Sequence, residues 1–292
     1  MPAASLARRE TALSSVPPTG YIQTRDGVSL FVRDWHDGGP AAATVLFVSS
    51  WALPSDSWSC QMQALRAAGL RCIAYDRRGH GRSGDPGRGY DFDTLADDLA
   101  AVIEALDLRR VTLVGHSMAA GEIVRYLSRH GAQRVAGMVL VGCTTPCLAR
   151  SADNPEGIDP AILDHVAGEL ADDFPRWVEN NLAPFGGGLC SAPRLEWVRA
   201  MALQTSLQAL LGCSHANTHA DFRAELPAIR VPALLVHGDQ DVSCPLPLTA
   251  QRTAALLPDA RLRVYEGAPH GLPYTHGARL CADLLGFVRE LA

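Results

Sequence analysis

Two features that would indicate whole classes of protein are missing from this 292-residue sequence. It has no apolar run of the roughly 18 to 20 residues that a membrane-spanning helix needs, and residues 1–20 lack an apolar segment of signal-peptide length. It has no excess of basic residues, because the net charge is −5 and the isoelectric point is about 6.0, whereas a nucleic-acid-binding face is strongly basic. We therefore expect a soluble cytoplasmic protein with a flexible N-terminal tail over residues 1–20 and no membrane or nucleic-acid partner.

The cysteines lack the spacing of a redox or zinc motif. They stand at positions 60, 72, 143, 147, 190, 213, 244 and 281, and no two form a C-x-x-C pair. Scattered thiols of this kind fit a reduced intracellular core better than a disulfide framework. His215 and His219 have the spacing of a zinc pair, but no glutamate lies between them and no third ligand is evident. We expect no metal site.

The sequence does have a regular alternation of strand-like and helical segments. Short apolar stretches predict strands at residues 30–35, 44–48, 72–75, 111–114, 135–141, 233–237 and 260–265. Helical patterns lie between them, at about residues 56–68, 93–106, 118–130, 247–257 and 277–291. The alternation predicts an α/β fold with a mostly parallel central sheet and helices on both faces.

The alternation stops between residues 146 and 227. This segment contains helical patterns at 160–182 and 193–212, separated by the cluster "APFGGG". Insertions after the carboxyl ends of parallel strands lie over the ligand-binding crevice of such sheets. We expect residues 146–227 to form a helical cap over a core made of residues 21–145 and 228–292. A separate interaction domain is the alternative, although the segment is short for an independent core.

A serine stands in the turn between a predicted strand and a predicted helix. In "VTLVGHSMAAG" (111–121), Ser117 is flanked two residues away by the small residues Gly115 and Ala119. The pattern is that of a G-x-S-x-G nucleophile elbow with alanine in the last place, which holds a serine oxygen beside helix N-terminal amides. The alternative is a serine that only caps the helix.

Two later segments supply the partners that a nucleophilic serine needs, a general base and an orienting acid. In "VPALLVHGDQDVSCP" (231–245) a predicted strand runs into a turn with Asp239 and Asp241. In "RLRVYEGAPHGLPYTHG" (261–277) another strand runs into a loop with His270, and His276 is a rival base further along. The order serine, aspartate, histidine is one of the known orders of such triads.

Together with "YDRRGHGRSG" (75–84), these motifs resemble the α/β-hydrolase superfamily, and within it the serine carboxylesterases known as cofactor-free (non-haem) haloperoxidases. The resemblance covers nearly all of the sequence beyond the tail. It implies that Ser117 is the nucleophile, His270 the general base and Asp241 the triad acid, since the second aspartate of G-D-x-D has this role in the family. Asp239 is then expected to shape the turn. The resemblance implies no metal or organic cofactor.

The resemblance also identifies an oxyanion hole made by the backbone amides of Met118 and Trp51. Trp51 lies in "SSWALPSDSW" (49–58), where the family usually carries His-Gly before the donor residue and this sequence has Ser49-Ser50. A serine in place of the glycine either narrows the hole or adds a hydroxyl donor. The candidate substrate-binding residues are Ser50, His116, Trp177 and Trp197.

The charged motif "DRRGHGRSG" is typical of the same family. We expect Arg77, Arg78 and His80 to brace the loops that carry Ser117 and Asp241 by hydrogen bonds, with no direct catalytic role.

The implied reaction is hydrolysis of a small to medium carboxylic ester through an acyl-enzyme intermediate. A lactonase, whose substrate is a cyclic ester, and a perhydrolase, in which peroxide replaces water at deacylation, are alternatives within the enzyme class. A non-catalytic ligand-binding protein of the same fold is the alternative from another class, but all three triad positions are filled. The expected partner is a small-molecule ester or lactone, and a homo-oligomer is compatible with the sequence.

Overall fold

An eight-stranded sheet lies at the centre of the part of the chain that the computed structural model describes, residues 20–36, 38 and 41–291. Its strands are β1 (Tyr21–Gln23), β2 (Ser29–Trp35), β3 (Thr44–Val48), β4 (Arg71–Tyr75), β5 (Val111–His116), β6 (Val135–Val141), β7 (Ala233–Gly238) and β8 (Ala260–Tyr265). The order across the sheet is β1-β2-β4-β3-β5-β6-β7-β8. Strands β3 to β8 are parallel and only β1 and β2 run antiparallel to their neighbours, which confirms the predicted sheet.

Helices cover both faces of this sheet. They are α1 (Ser59–Ala67), α2 (Phe92–Ala105), α3 (Ala119–His130), α4 (Pro160–Asp172), α5 (Phe174–Gly186), α6 (Ala192–Ala202), α7 (Leu207–His219), α8 (Ala250–Leu256), α9 (Leu272–Thr275) and α10 (Gly277–Leu291). Because side chains alternate along a strand, Leu46 and Val48 of β3 enter the core beneath α2 and α3, whereas Val45 and Phe47 pack with α1 and α10. Within the described residues, none of these helices has the length and apolarity to cross a membrane.

The predicted strands and core helices are confirmed, with ends that differ by up to three residues. Strand β1 was not predicted, because only Ile22 of its three residues is buried and it is held by pairing with β2. The predicted helix over 56–68 is divided into a 3₁₀ turn, Ser55–Trp58, and α1. The short helix α9 was also missed. The predicted tail over residues 1–20 lies outside the described residues except for Gly20.

The segment between β6 and β7 contains helices α4 to α7. Its strand pairing is limited to single bridges such as the one between Cys147 and Asp221. Buried residues of α5 to α7 form one apolar cluster with Ala52 and Leu53, which follow β3, and with Tyr274 of α9. These contacts tie the segment to the loops at the carboxyl end of the sheet, and the division into core and cap remains a prediction.

Candidate active site

Ser117 occupies a tight turn between β5 and α3. Its φ angle is +59°, a left-handed conformation that is rare for a residue with a side chain. The turn is fixed because the Ser117 amide donates to the Val141 carbonyl at 2.8 Å. A Cβ on Gly115 would lie 2.7 Å from Ile123 Cδ1 and 3.1 Å from Ala119 Cβ. A side chain at position 115 would therefore press on α3, so glycine is the residue that this close approach favours.

The structure brings Ser117, His270 and Asp241 together at the carboxyl ends of β5, β8 and β7. His270 Nε2 lies 3.0 Å from Ser117 Oγ, and His270 Nδ1 lies 2.7 Å from Asp241 Oδ2. Ser117 and His270 are each 6% exposed and Asp241 is 4% exposed. A serine oxygen, an imidazole and a carboxylate are thus aligned in one hydrogen-bonded chain.

The geometry separates the rival acid and the rival base from this chain. Asp239 accepts a hydrogen bond from the Gly267 amide at 2.7 Å and so links the β7 turn to the β8 turn. The Nδ1 atom of His276 lies 2.8 Å from the hydroxyl oxygen of Thr275, and the His276 ring makes a tilted contact with the Tyr265 ring. Asp241, by contrast, has its second oxygen held by the amides of Ser243 and Cys244.

The buried pair of Asp241 and His270 favours the ionised carboxylate. Burial alone raises the pKa of Asp241, but the facing His270 and the hydrogen bonds to the carboxylate outweigh it, so the pKa lies below the ordinary value of 3.8. Burial lowers the pKa of His270, but the Asp241 carboxylate outweighs that effect and raises the pKa well above 6.5. His270 is therefore a stronger base than a free imidazole.

This raised pKa sets an expected pH dependence of acylation. Below its pKa His270 is protonated and cannot accept the serine proton, so the rate should rise with pH and reach half its maximum above pH 6.5. The measurement is the pre-steady-state acylation rate with a p-nitrophenyl ester from about pH 5 to pH 9. His276→Gln is the control and should keep the parent midpoint. A rate that stays constant down to the acid end would contradict the assignment.

Two further histidines surround the pair. His116 Nε2 donates to the His270 carbonyl at 3.0 Å, and burial, reinforced by His270, lowers the pKa of His116 to about 3. His237 was not predicted as a site residue; its Nε2 donates to the Cys244 carbonyl at 2.7 Å and lies 3.4 Å from Asp241 Oδ2. Its place at the end of β7, four residues before Asp241, is the sequence signal that could have identified it. Both rings hold the loops that carry His270 and Asp241.

The two amides predicted for an oxyanion hole are free of internal partners. Within the described chain, neither the Met118 amide nor the Trp51 amide donates a hydrogen bond to a protein acceptor. Met118 directly precedes α3, so its amide belongs to the positive end of that helix. Ala52, next to Trp51, has a φ angle of +61°, which makes a tight turn after β3. Both amides can therefore bind an oxyanion.

The replacement of His-Gly by Ser49-Ser50 has a different consequence at each position. The Ser49 hydroxyl donates to the Pro54 carbonyl at 3.0 Å and accepts from Ser57 at 3.2 Å, so it braces the loop from inside. The Ser50 side chain is 5% exposed, and its hydroxyl has no hydrogen-bond partner among the residues that the structure describes. Ser50 therefore retains a free donor beside the Trp51 amide.

Arg77 holds this same loop. Its guanidinium donates to the Ser49 carbonyl at 2.7 Å, the Ser50 carbonyl at 3.3 Å and Glu122 Oε1 at 2.6 Å. Glu122 is a buried residue of α3, so the contact joins the loop after β3 to the helix that follows Ser117. The predicted bracing of the Ser117 and Asp241 loops by Arg77, Arg78 and His80 was therefore wrong in its targets.

Arg78 and His80 make their contacts within and next to the loop after β4 and not with the triad loops. Arg78 forms a two-pronged contact with Asp98 of α2, at 2.7 and 2.6 Å, and also binds Asp26. His80 Nδ1 donates to the Arg78 carbonyl at 3.0 Å, and its Nε2 lies 3.4 Å from Arg77. These residues fix the loop itself rather than the triad.

Aromatic side chains from α5 cover the site. The Trp51 and Trp177 rings meet edge to face at 5.2 Å, and Trp51 Nε1 donates to the Leu210 carbonyl of α7 at 3.0 Å. The Phe185 ring lies 6.0 Å from the His270 ring, and the Phe185 carbonyl accepts from the Gly271 amide at 2.9 Å. Phe185 is not among the predicted substrate-binding residues, because sequence alone does not show which face of a helix meets the triad.

Trp197 is the predicted substrate-binding residue that the structure places away from the triad. It is 37% exposed, and its ring contacts Tyr274 at 6.2 Å rather than any triad residue. The role of Trp197 in substrate binding therefore stays a prediction.

A parallel α/β sheet with a serine turn after one central strand and a histidine–aspartate pair after two others defines the class of α/β serine hydrolases. The profile of the family described as "alpha/beta hydrolase fold" matches residues 43–277. The chain belongs to this family, and it is an esterase-like hydrolase. The resemblance inferred from the motifs is thereby confirmed.

Similar proteins span almost the same length. The chain is 38% identical over 274 residues to the non-heme chloroperoxidase CPO-A1 of Kitasatospora aureofaciens, covering 91% of this chain and 98% of that protein. It is 34% identical over 280 residues to the bifunctional esterase/perhydrolase DCH of Acinetobacter calcoaceticus, covering 93% and 100%. Among solved structures, the esterase EaEST of Exiguobacterium antarcticum superposes with a TM-score of 0.88 at 28% identity, covering 92% and 99%.

Proposed function

We propose that this protein hydrolyses small to medium carboxylic esters through an acyl-enzyme formed on Ser117. The observation that carries the proposal is the hydrogen-bonded chain from Ser117 Oγ through His270 to Asp241, next to two unbonded amides. A non-catalytic binding protein has no need for this alignment. The substrate is a small molecule, and an ester or lactone is the class that the site fits.

In the proposed acylation, Ser117 Oγ attacks the ester carbonyl carbon while His270 Nε2 takes the hydroxyl proton. The Met118 and Trp51 amides stabilise the negative charge that develops on the carbonyl oxygen. His270 then gives its proton to the departing alcohol oxygen. Asp241 holds the Nδ1 proton throughout, so that Nε2 stays free to accept the serine proton.

Deacylation reverses these roles, with water attacking the acyl carbon and His270 acting as its base. Hydrogen peroxide in place of water would give a peracid. Perhydrolysis is the second candidate, because a relative that is 34% identical is named as a bifunctional esterase/perhydrolase. A lactone would also acylate Ser117, but the alcohol group that it releases would remain part of the bound acyl chain.

Residues 146–227 act in this proposal as a cap that limits the size of the acyl group. Phe185 lies next to His270 and Trp177 lies on Trp51, and both side chains are bulky and aromatic. An apolar wall with few polar groups favours an uncharged substrate. The hydroxyl of Ser50, next to Trp51 in the chain, is proposed to contact the substrate. A cytoplasmic location remains a prediction.

Covalent labelling tests the proposed function directly. The parent and Ser117→Ala proteins are treated with a small serine-directed phosphonate and examined by intact-protein mass spectrometry, in parallel with turnover of an ester and lactone panel with and without peroxide. One adduct on the parent, none on Ser117→Ala and parallel loss of turnover are expected. Ser50→Ala is the control and should still be labelled. Ligand binding without adduct or turnover would indicate the non-catalytic alternative.

Acyl-chain selectivity should change when the aromatic wall is shortened. Phe185→Ala is expected to raise kcat/KM for a hexanoyl ester relative to an acetyl ester about tenfold, because the added methylenes then fit beside His270. The measurement is kcat/KM across a series of p-nitrophenyl esters. Trp197→Ala, which removes an aromatic ring of the same segment that contacts Tyr274 rather than His270, should leave the ratio unchanged. Equal effects of the two variants would contradict this role of Phe185.

A further inference from the structure

The proposed reaction makes no use of the Cys244 thiol, although it lies within the site. Cys244 is 3% exposed and is not disulfide-bonded. Its backbone is fixed on both sides, since its amide donates to Asp241 Oδ1 at 2.8 Å and its carbonyl accepts from His237 Nε2 at 2.7 Å. The thiol sulfur lies within 4.8 Å of a ring nitrogen of His270.

Three different donor atoms meet at this position. Cys244 Sγ, a ring nitrogen of His270 and a carboxylate oxygen of Asp241 all lie within 4.8 Å of one another. In a tetrahedral site with metal–sulfur bonds of about 2.3 Å and metal–nitrogen or metal–oxygen bonds of about 2.0 Å, neighbouring donors stand roughly 3.2 to 3.7 Å apart. The 2.7 Å contact between Asp241 and His270 would open by about half an ångström to admit the ion. The Cys244 sulfur, at most 4.8 Å from the other two donor atoms, would in turn move toward them by no more than about 1.5 Å.

The charges of the three groups suit a divalent cation. A buried ion is tolerated only when its charge is compensated by its partners. The Asp241 carboxylate and a Cys244 thiolate carry one negative charge each, which balances a divalent cation with a neutral His270. Binding forms one metal–sulfur, one metal–nitrogen and one metal–oxygen bond and releases the thiol proton to solvent, together with the imidazolium proton of His270 where that ring is protonated. No oxidation state changes.

We propose that Asp241, Cys244 and His270 form an inhibitory site for a thiophilic divalent cation such as Cd²⁺ or Zn²⁺. Sulfur and imidazole ligands select such ions, whereas Mg²⁺ and Ca²⁺ require mostly oxygen ligands. An ion in this site withdraws His270 and Asp241 from proton transfer, so it blocks rather than assists the reaction. It is a reversible inhibitor and not a cofactor.

Binding is tested without any need for turnover. Cd²⁺ is titrated into the Ser117→Ala protein, and the ultraviolet charge-transfer band of a cadmium–thiolate bond is recorded. Cys60→Ser is included in every protein, because Cys60 is an exposed thiol outside the site that could bind Cd²⁺ by itself. The expected result is a saturable band. Cys244→Val should lower the amount of thiolate-bound Cd²⁺ by one equivalent per protein, and Mg²⁺ should give no band. An equal band with and without the Cys244 thiol would overturn the proposal.

Inhibition provides the second measurement and relies on the proposed esterase activity. The Cd²⁺ concentration for half-inhibition is expected to rise at least about tenfold in Cys60→Ser/Cys244→Val relative to Cys60→Ser, each compared with its own metal-free rate. If Cys244→Val does not fold, Cys244→Ser replaces it, because a hydroxyl is a poor ligand for Cd²⁺. Unchanged sensitivity would overturn the proposal. Binding without any esterase activity in the parent would contradict the proposed function and leave the metal site supported.

Discussion

Replacing Asp241 with asparagine is expected to lower kcat about 10,000-fold with the fold intact. The carboxylate accepts the Nδ1 proton of His270 at 2.7 Å and so keeps Nε2 free for the serine proton. An asparagine amide can donate to Nδ1 instead, which shifts the ring proton to Nε2 and removes the base. The measurement is steady-state turnover of a short p-nitrophenyl ester, with circular dichroism to verify folding.

Asp239→Asn is the matched control for this experiment. It lies two residues away in the same turn but contacts the Gly267 amide rather than His270. We expect its kcat to stay within about tenfold of the parent, since only the turn is affected. Loss of turnover in Asp239→Asn with retention in Asp241→Asn would reverse the assignment of the acid.

Replacing Arg77 with methionine is expected to reduce the free energy of unfolding by about 3 to 5 kcal/mol. Arg77 and Glu122 form an ion pair whose side chains are at most 2% exposed. Without Arg77, the buried Glu122 carboxylate would keep only one hydrogen-bond donor, the Tyr75 hydroxyl at 3.3 Å. The Ser49 and Ser50 carbonyls would also lose their donor, so kcat should fall as the oxyanion loop loosens. Unfolding by urea and ester turnover measure the two effects.

A surface ion pair provides the comparison. Arg129 binds Asp93 and Asp97 at the exposed ends of α2 and α3, and Arg129→Met should cost less than about 1 kcal/mol. Adding Glu122→Leu to Arg77→Met should recover part of the loss, because the unpaired charge is then removed. A cost for Arg77→Met as small as that for Arg129→Met would show that the buried pair contributes little.

Most features that were predicted from the sequence depend on local sequence patterns. The parallel strands and core helices were predictable from the spacing of apolar residues, because this spacing is a local property of the sequence. The turn at Ser117 follows from the small residues Gly115 and Ala119, because the close approach of α3 leaves no room for larger side chains. The expectation that His270 and Asp241 are the partners of Ser117 came instead from the resemblance to the α/β-hydrolase superfamily, because the local pattern left His276 and Asp239 open as rivals.

Features that depend on packing between distant segments were not predictable. The short strand β1 forms only because β2 lies beside it. The bracing of the oxyanion loop by Arg77 depends on a glutamate 45 residues further along the chain. The contact of Trp197 with Tyr274 and the proximity of Phe185 to His270 depend on how α5 and α6 pack on Tyr274 and the His270 loop.

The sequence by itself determined the elements, their order and the chemical groups placed at their ends. Only the tertiary structure decided that His270 meets Ser117 across 153 residues, that Asp241 rather than Asp239 faces the imidazole, and that Cys244 lies beside both. The physical reason is that hydrogen bonding and apolar periodicity act over a few residues, whereas these distances follow from the packing of whole strands and loops in one sheet.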